Sequence, residues 1–318
     1  MTIKEITEQI ISGKEITREE ADFLISAPLE ELCEGADRIR QHFNGNIFDM
    51  CAILSVKGGR CSENCKFCAQ SSCSTAEIPT FDVRNTAYVV SDAKSRDGVG
   101  IAHYCQVSSG RKLTKREVAQ ICDNVRGLVS ETGFAPCVSL GLLDKDDLQA
   151  LKDAGVKRVH NNIETSPSYF KEICSSHTTE DKIKVMKIVH ELGLELCSGG
   201  VFGIGETWKD RIDMAFALRE IRPESIPINM LKAVKGTPME SALPITKDEI
   251  RRIVAIFKYI LPKSSIRFAA GRDVLDDTGM SLFKGGCNAA ITGDMLTVKG
   301  ISVEEDLKTI KELGYHLA

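Results

Sequence analysis

The chain has 318 residues, of which 42% are hydrophobic and 27% are charged, so it can bury a sizeable core in one large domain or two small ones. Its 41 basic and 45 acidic side chains give a formal charge of −4, which argues against a basic surface that binds nucleic acid. We expect a cytoplasmic protein with no membrane partner, because no apolar run reaches the length of a membrane span and residues 1–18 show no signal-peptide apolar stretch.

Residues 1–45 are predicted to be helical, and a capping box of Thr17 with Glu20 marks one helix start there. From residue 46 onward, short β-branched apolar runs alternate with amphipathic helices. The helix starts carry further capping boxes, such as Thr114 with Glu117. We therefore predict an N-terminal helical extension, residues 1–45, and a barrel domain, residues 46–318.

Eight strands are predicted in the second region. They lie at 50–56, 100–107, 136–141, 156–163, 194–201, 225–230, 265–269 and 289–292. Strands that alternate with helices favour parallel pairing with right-handed crossovers. Eight such units predict an α/β fold of the closed (β/α)₈ TIM-barrel type. An open, doubly wound sheet is the alternative, because periodicity cannot show closure.

Twelve cysteines indicate metal binding or catalysis, because cytosolic thiols stay reduced. Cys61, Cys65 and Cys68 form a Cys-x3-Cys-x2-Cys motif on the polar loop after the first strand. Three soft thiolates can hold three irons of a cubane cluster and leave the fourth iron open to another ligand. One alternative is a zinc site that borrows a fourth ligand. Another is a ferredoxin-like electron carrier, which needs a fourth nearby cysteine such as Cys73.

With the aromatic residue Phe67 before its last cysteine, the motif resembles the signature of the radical S-adenosylmethionine (SAM) superfamily. The resemblance implies that a [4Fe–4S] cluster binds SAM at its open iron. It also implies that one electron passes from the reduced cluster to the sulfonium and releases a 5′-deoxyadenosyl radical. Such a cofactor abstracts hydrogen from unactivated carbon, which acid–base side chains cannot do.

Five separated stretches resemble the biotin synthase family within that superfamily, at 66–72, 162–166, 197–210, 224–238 and 267–272. The resemblance implies a radical SAM sulfurtransferase of biotin biosynthesis, which inserts sulfur between two unactivated carbons of dethiobiotin. It further implies a homodimer, a flavodoxin or ferredoxin-type reductant, and iron–sulfur assembly machinery as partners. The alternatives are another radical enzyme on the same barrel, such as a maturase, and a non-catalytic iron–sulfur or zinc protein.

The resemblance also implies a second, deeper cluster that donates the sulfur. It assigns Cys105, Cys137 and Cys197, each on a predicted strand, together with Arg267, to an auxiliary [2Fe–2S] cluster. Cys51 is a departure, because better-known members have Ser at this position of the first strand. Four thiolates suit a four-iron cluster better, so a 4Fe type that includes Cys51 stays open beside the [2Fe–2S] type. Taken singly, each of these cysteines reads as a small buried hydrophobic residue.

Further site residues are expected at the C-terminal ends of the strands, where barrel active sites lie. The resemblance implies that SAM is contacted by Phe67, Ser108, Asn162, Glu164, Gly199, Gly200 and Val201. It implies that dethiobiotin is contacted by Lys57, His160, Asn162 and Asn229, with Thr297 as a further candidate. Glycines after the fifth strand would let the backbone approach the adenosine closely. Cys287 is interpreted as a small strand residue, and Cys33, Cys122 and Cys174 have no evident partner.

Overall fold

A closed barrel of parallel strands forms the centre of the molecule in the computed structural model, which describes residues 2–59, 61–294, 296 and 300–318. Thr297 lies outside the described residues. The strands are β1 (Ile47–Lys57), β2 (His103–Ser108), β3 (Ala135–Ser139), β4 (Arg158–His160), β5 (Glu195–Cys197), β6 (Gly200–Phe202), β7 (Ser225–Met230), β8 (Ser265–Phe268), β9 (Ala289–Ile291) and β10 (His316–Leu317).

Closure of the barrel comes from the pairing of β9 with β1, so the ring runs β1-β2-β3-β4-β5-β7-β8-β9. The predicted (β/α)₈ barrel is confirmed and the open sheet is excluded. The predicted fifth strand, 194–201, is wrong as one element, because β5 and β6 pair separately with β7. The last strand, β10, adds to the start of β1 at Ile47 and Phe48, outside the closed ring.

Helices surround the barrel. They are α1 (Ile3–Ile11), α2 (Arg18–Leu24), α3 (Leu29–Asn44), α4 (Thr86–Lys94), α5 (Lys115–Glu131), α6 (Lys145–Ala154), α7 (Phe170–Ile173), α8 (Thr179–Glu191), α9 (Trp208–Ile221), α10 (Lys247–Ile260), α11 (Met280–Phe283) and α12 (Val303–Glu312). The capping boxes at Thr17 and Thr114 form as predicted, since each hydroxyl accepts from the backbone N–H three residues later. Across the described ranges, none of these helices combines the length and apolarity that crossing a membrane requires.

The three N-terminal helices precede β1 and pack against the outside of the barrel at α10. Helix α3 contacts both α1 and α10. The hydroxyl groups of Thr7 and Tyr259 lie 2.8 Å apart at this junction. Burial of Ile6, Ile10 and Leu24 continues the hydrophobic core into this segment.

Lys258 on α10 is a fully buried lysine at the same junction. Its ammonium group donates to Ser264 O at 2.9 Å and contacts Asn44 Oδ1. Burial lowers the pKa of Lys258 to about 7. The unfolded chain, with a lysine pKa of about 10.4, therefore binds more protons than the folded chain between about pH 7 and 10. The contribution of Lys258 to stability consequently rises with pH over that window and is lowest below pH 7.

We predict that Lys258→Met removes this pH dependence. Between pH 7 and 10 the unmodified chain should gain stability over the variant by on the order of 3 kcal/mol. Urea denaturation at several pH values measures the difference, and Lys263→Met, at an exposed position, is the control. If the free energies of unfolding of the unmodified chain and of Lys258→Met changed equally with pH, the folded state would not disfavour the charged amine.

Candidate active site

The cysteine triplet lies on the loop between β1 and α4, and tertiary hydrogen bonds hold the backbone of this loop. Cys68 N donates to Cys65 O at 3.1 Å, and Cys61 N donates to Gln70 O at 3.3 Å. Lys66 N reaches Ile173 O on α7 at 2.9 Å. The three thiols are partly exposed, so the loop presents three soft ligands in a constrained turn.

Four further cysteines lie inside the barrel, where all are buried: Cys51, Cys105, Cys137 and Cys197. Cys105 and Cys137 are register partners on β2 and β3, and Cys51 packs against them. Cys197 Sγ lies 3.5 Å from His160 Nδ1. Burial raises the pKa of all four thiols, that of Cys51 to about 12. They are therefore protonated until a metal displaces their protons.

A cavity of about 330 Å³ brings the two groups of cysteines together. Its wall contains Cys68 and Phe67 from the loop and all four buried cysteines from the strands. The other predicted residues on this wall are His160, Asn162, Glu164, Val201, Asn229 and Arg267. A molecule in the cavity would therefore contact both the triplet loop and the buried thiols.

Arg267 is buried, and every nitrogen of its guanidinium group is hydrogen-bonded to protein. Nε donates to Ser225 Oγ at 3.2 Å, Nη1 to the carbonyls of Asp49 and Ala290, and Nη2 to Asp49 Oδ2 at 2.5 Å. Asp49 also contacts Arg158 Nη1 at 3.1 Å and His103 Nδ1 at 2.9 Å. Burial works to raise the pKa of Asp49, yet Arg267, His103 and Arg158 hold it well below its usual range. Asp49 is therefore a carboxylate that orients two arginines beside the thiols.

Arg158 and Asp49 are site residues that sequence reasoning missed. Arg158 is the register partner of Cys137 and lies on the cavity wall. Burial, the largest influence, works to lower the pKa of this guanidinium, but Asp49 and the thiols of Cys137 and Cys197, once ionised, hold it above its usual range. For Asp49 the available signal was a charged residue between two apolar ones, Phe48 and Met50, since buried charges are rarely left unpaired.

The polar group after β4 is held in a single arrangement. Asn162 Oδ1 accepts from Gly199 N at 2.9 Å, and its Nδ2 donates to Glu164 Oε2 at 3.2 Å. Glu164 has φ +71°, a left-handed backbone that is uncommon for any residue except glycine and is often found at functional sites. This turn ends β4 at His160, earlier than the predicted 156–163. Burial lowers the pKa of His160 to about 4, so its imidazole is neutral near pH 7.

Four predicted contact residues are absent from the described cavity wall: Lys57, Ser108, Gly199 and Gly200. The ammonium group of Lys57 lies 2.7 Å from Glu117 Oε1 on α5. Ser108 Oγ is buried and has no hydrogen-bond partner in the described part of the chain. In the structure the ammonium group of Lys57 is therefore paired with a carboxylate on α5, and the hydroxyl of Ser108 is left available for a hydrogen bond.

The two glycines have a packing role of their own. A β-carbon at Gly199 would lie 2.0 Å from Pro227 O, and one at Gly200 would lie 2.1 Å from Glu164 O. Real β-carbons do not approach backbone oxygens so closely. The close approach that requires glycine here is therefore between the backbone at Gly199 and Gly200 and two neighbours, Pro227 on β7 and the turn at Glu164.

We predict that Gly199→Ala destabilises the fold by about 2–4 kcal/mol through this overlap. Thermal unfolding of the cluster-free protein measures the effect. Gly133→Ala is the control, since the nearest atom to its added β-carbon lies 3.5 Å away. If Gly199→Ala unfolded like the unmodified chain but bound SAM poorly, the glycine would serve the cofactor and not the packing.

The structure also shows the surroundings of three other cysteines, Cys287, Cys73 and Cys174. Cys287 is buried outside the cavity wall, and its thiol donates to Ile266 O at 3.1 Å. Cys287 lies two residues before β9, so its interpretation as a strand residue is wrong. Cys73 is exposed, with Sγ 3.3 Å from Asn64 O. The interpretation of Cys174 as a residue without a partner is wrong, because its Sγ lies 3.7 Å from Cys65 Sγ. That contact joins segments 109 residues apart, which no local pattern reveals.

The parallel barrel with a three-cysteine loop next to a buried cavity defines the radical SAM class of enzymes. The model of the Radical SAM superfamily matches residues 55–218, and that of the Biotin and Thiamin Synthesis associated domain matches residues 227–316. Biotin synthase from Brachyspira hyodysenteriae is 48% identical over 317 residues, which cover 100% of this chain and 95% of that protein. Biotin synthase 2 from Corynebacterium diphtheriae is 45% identical, with 99% and 96% covered. The chain belongs to the biotin synthase family.

Solved structures support the fold. A methylornithine synthase matches with a TM-score of 0.86 and 16% identity, covering 98% of this chain and 97% of that one. A maturase of the [FeFe]-hydrogenase matches with a TM-score of 0.83 and 16% identity, covering 98% and 74%. At such identities the likeness concerns the barrel alone. The family assignment therefore depends on the biotin synthases, which share far more of the sequence.

Proposed function

We propose that the two groups of cysteines divide the work of sulfur insertion into dethiobiotin. Cys61, Cys65 and Cys68 hold the [4Fe–4S] cluster that binds SAM, and the buried cysteines hold an auxiliary cluster that supplies the sulfur. The observation that carries this proposal is the cavity wall shared by Cys68 and the four buried thiols. When bound and reduced, the first cluster supplies the electron that cleaves SAM and starts radical chemistry at unactivated carbon.

The chain's own residues bind and orient the two organic molecules. Asn229 Nδ2 donates to Gly200 O at 3.0 Å, and its Oδ1 accepts from Ala270 N at 3.2 Å, which fixes the amide. An amide so held still has one N–H and one acceptor position for a ligand. A neutral urea ring has complementary groups, so Asn229 and Asn162 are suited to the ureido group of dethiobiotin. Glu164 is suited to accept hydrogen bonds from a ribose.

Apolar side chains complete the cavity and limit the access of water. Ile53 and Val107 pack against the buried thiols, and Phe67 packs with Val201 and Ile204 near the triplet loop. A reactive carbon radical formed in such a site is protected from side reactions. The neutral imidazole of His160 adds a hydrogen-bonding group close to Cys197 without adding a charge.

For the auxiliary cluster we propose the 4Fe type, with Cys51 as a ligand beside Cys105, Cys137 and Cys197. Two observations support it. Cys51 packs directly against Cys105 and Cys137, and the guanidinium nitrogens of Arg267 are already bonded to Asp49, Ala290 and Ser225. In this assignment Arg267 and Arg158 balance the negative charge of the thiolates and do not ligate iron.

Iron analysis and Mössbauer spectra of anaerobically reconstituted protein test the cluster type. Two four-iron clusters give about eight irons per chain, whereas a four-iron and a two-iron cluster give about six. Arg267→Met should keep the iron content in the first case. About six irons, with two lost on replacing Arg267, would establish the [2Fe–2S] assignment instead.

We also propose an external one-electron donor of the flavodoxin or ferredoxin class, and iron–sulfur assembly machinery that restores the spent auxiliary cluster. Free thiols and clusters require a reducing compartment, so we place the chain in the cytoplasm. A homodimer is part of this proposal, and light scattering of the reconstituted protein tests it.

The decisive experiment is anaerobic incubation with dethiobiotin, SAM and a reductant, followed by mass spectrometry. We expect biotin and 5′-deoxyadenosine. If dethiobiotin stayed unchanged while both clusters were intact and SAM was cleaved, the assignment of the substrate would be wrong.

A further inference from the structure

Cys65 faces two metal-binding side chains that have no part in the function proposed above. Cys174 Sγ lies 3.7 Å from Cys65 Sγ, and His177 Nδ1 lies 3.3 Å from Cys174 Sγ. One ligand atom from each of the three residues lies within 4.8 Å of the others. Cys174 and His177 are buried, and both lie away from the cavity wall.

Two of these separations match the edges of a tetrahedral zinc site. With Zn–S bonds of about 2.3 Å and Zn–N bonds of about 2.0 Å, two sulfur ligands lie about 3.8 Å apart and a sulfur and a nitrogen about 3.5 Å apart. The observed separations of 3.7 and 3.3 Å are close to both values. Two thiolates and an imidazole are also the donors that zinc prefers.

The surroundings supply an oxygen donor and hold the segment in place. Glu63 Oε2 lies 2.5 Å from His177 Nδ1 and accepts from Ser176 Oγ at 2.7 Å. Arg111 Nη1 lies 3.5 Å from the same carboxylate and offsets part of its charge. Asn64 Oδ1 accepts from the N–H groups of Ser175 and Ser176, which ties this segment to the triplet loop. Because His177 Nδ1 is also the nitrogen nearest Cys174 Sγ, Glu63 would give up its hydrogen bond with Nδ1 when the ion binds and can then complete the coordination as an oxygen ligand.

We propose that Cys65, Cys174 and His177 bind a zinc ion when the [4Fe–4S] cluster is absent, and that zinc and the cluster compete for Cys65. Binding of the ion displaces the two thiol protons, which leave to solvent, and no oxidant or reductant takes part. The proposed zinc site depends only on the distances among the side chains of Cys65, Cys174 and His177. The competition depends on the proposed role of Cys65 as a cluster ligand.

The zinc site is tested with the full-length, cluster-free chain under anaerobic, reducing conditions, using Co²⁺ as the spectroscopic probe and Zn²⁺ as the competitor. We expect tetrahedral thiolate–cobalt bands that one equivalent of Zn²⁺ removes. Cys174→Ala and His177→Ala should each weaken affinity by more than about 10-fold, since even second-shell changes cost that much. Cys122→Ala, at another buried cysteine, is the matched control.

A double variant, Cys61→Ala with Cys68→Ala, separates this site from the cluster motif. The cobalt bands should persist in it, because neither residue belongs to the zinc site. Loss of the bands in the double variant, or their persistence at unchanged cobalt affinity when Cys174→Ala is added to the double variant, would overturn the assignment.

Competition is tested by loading Zn²⁺ first and then adding iron and sulfide. Zinc should slow cluster formation at least about 10-fold in the unmodified chain and have no effect on Cys174→Ala, which keeps all three cluster cysteines. Equal rates with and without zinc in the unmodified chain would refute the competition. Failure of the unmodified chain to form a cluster even without zinc would contradict the proposed function, while the cobalt titration would still decide the zinc site.

Discussion

Replacing Cys65 by alanine should abolish 5′-deoxyadenosine formation. The proposed [4Fe–4S] cluster needs three protein thiolates if its fourth iron is to stay open for SAM, and the Cys-x3-Cys-x2-Cys motif offers only Cys61 and Cys68 once Cys65 is removed. The bond from Cys68 N to Cys65 O holds the backbone of this turn, so the two remaining thiols keep their positions. Anaerobic incubation with SAM and dithionite, with chromatographic detection of the nucleoside, measures the effect.

Cys73→Ala is the matched control for this experiment, because Cys73 is an exposed thiol of the same loop. Its Sγ lies 3.9 Å from Cys65 O, near the cluster motif but outside it. We expect the control to retain cluster absorbance and deoxyadenosine formation. Deoxyadenosine from Cys65→Ala at the rate of the control would rule out Cys65 as a cluster ligand.

Cys137→Ala should leave part of the deoxyadenosine formation intact and abolish biotin formation. Cys137 is buried between Cys105 on β2 and Arg158 on β4, away from the triplet loop. Its loss removes one ligand of the proposed auxiliary cluster and leaves the three thiols of the loop in place. Quantifying deoxyadenosine and biotin from the same reaction separates the two steps.

Cys287→Ala is the control for a buried barrel cysteine, since its thiol bonds to backbone carbonyls outside the cavity wall. It should retain both products. If Cys137→Ala lost deoxyadenosine and biotin to the same extent, the two groups of cysteines would not have separate roles.

The arginines beside the thiols explain how a buried group of cysteines can accept a negative charge. Thiolates inside a barrel are costly unless metal or cationic groups compensate them. Asp49 accepts hydrogen bonds from both Arg158 and Arg267 and so directs two guanidinium groups toward the same region of the barrel. The protein thus provides the charge balance before any cluster is assembled.

Much of the fold follows from the sequence alone, because its determinants are local or periodic. A capping hydroxyl such as that of Thr114 acts on an N–H three residues away, and the alternation of strands and helices repeats along the chain. The class of chemistry was also readable, since the three cysteines of the motif lie within eight consecutive residues. A motif this short can be recognised without knowing the tertiary structure.

Only the tertiary structure decided which distant side chains meet. Pairing of β1 with β2 and of β2 with β3 brings Cys51, Cys105 and Cys137 into one cluster, and barrel closure through β9 and β1 pairs Asp49 with Arg267 across 218 residues of chain. Tertiary packing also places Lys57 against Glu117 and Cys174 against Cys65, two contacts that sequence reasoning did not predict. Such contacts depend on the directions in which whole strands and loops pack, and no local pattern of residues encodes those directions.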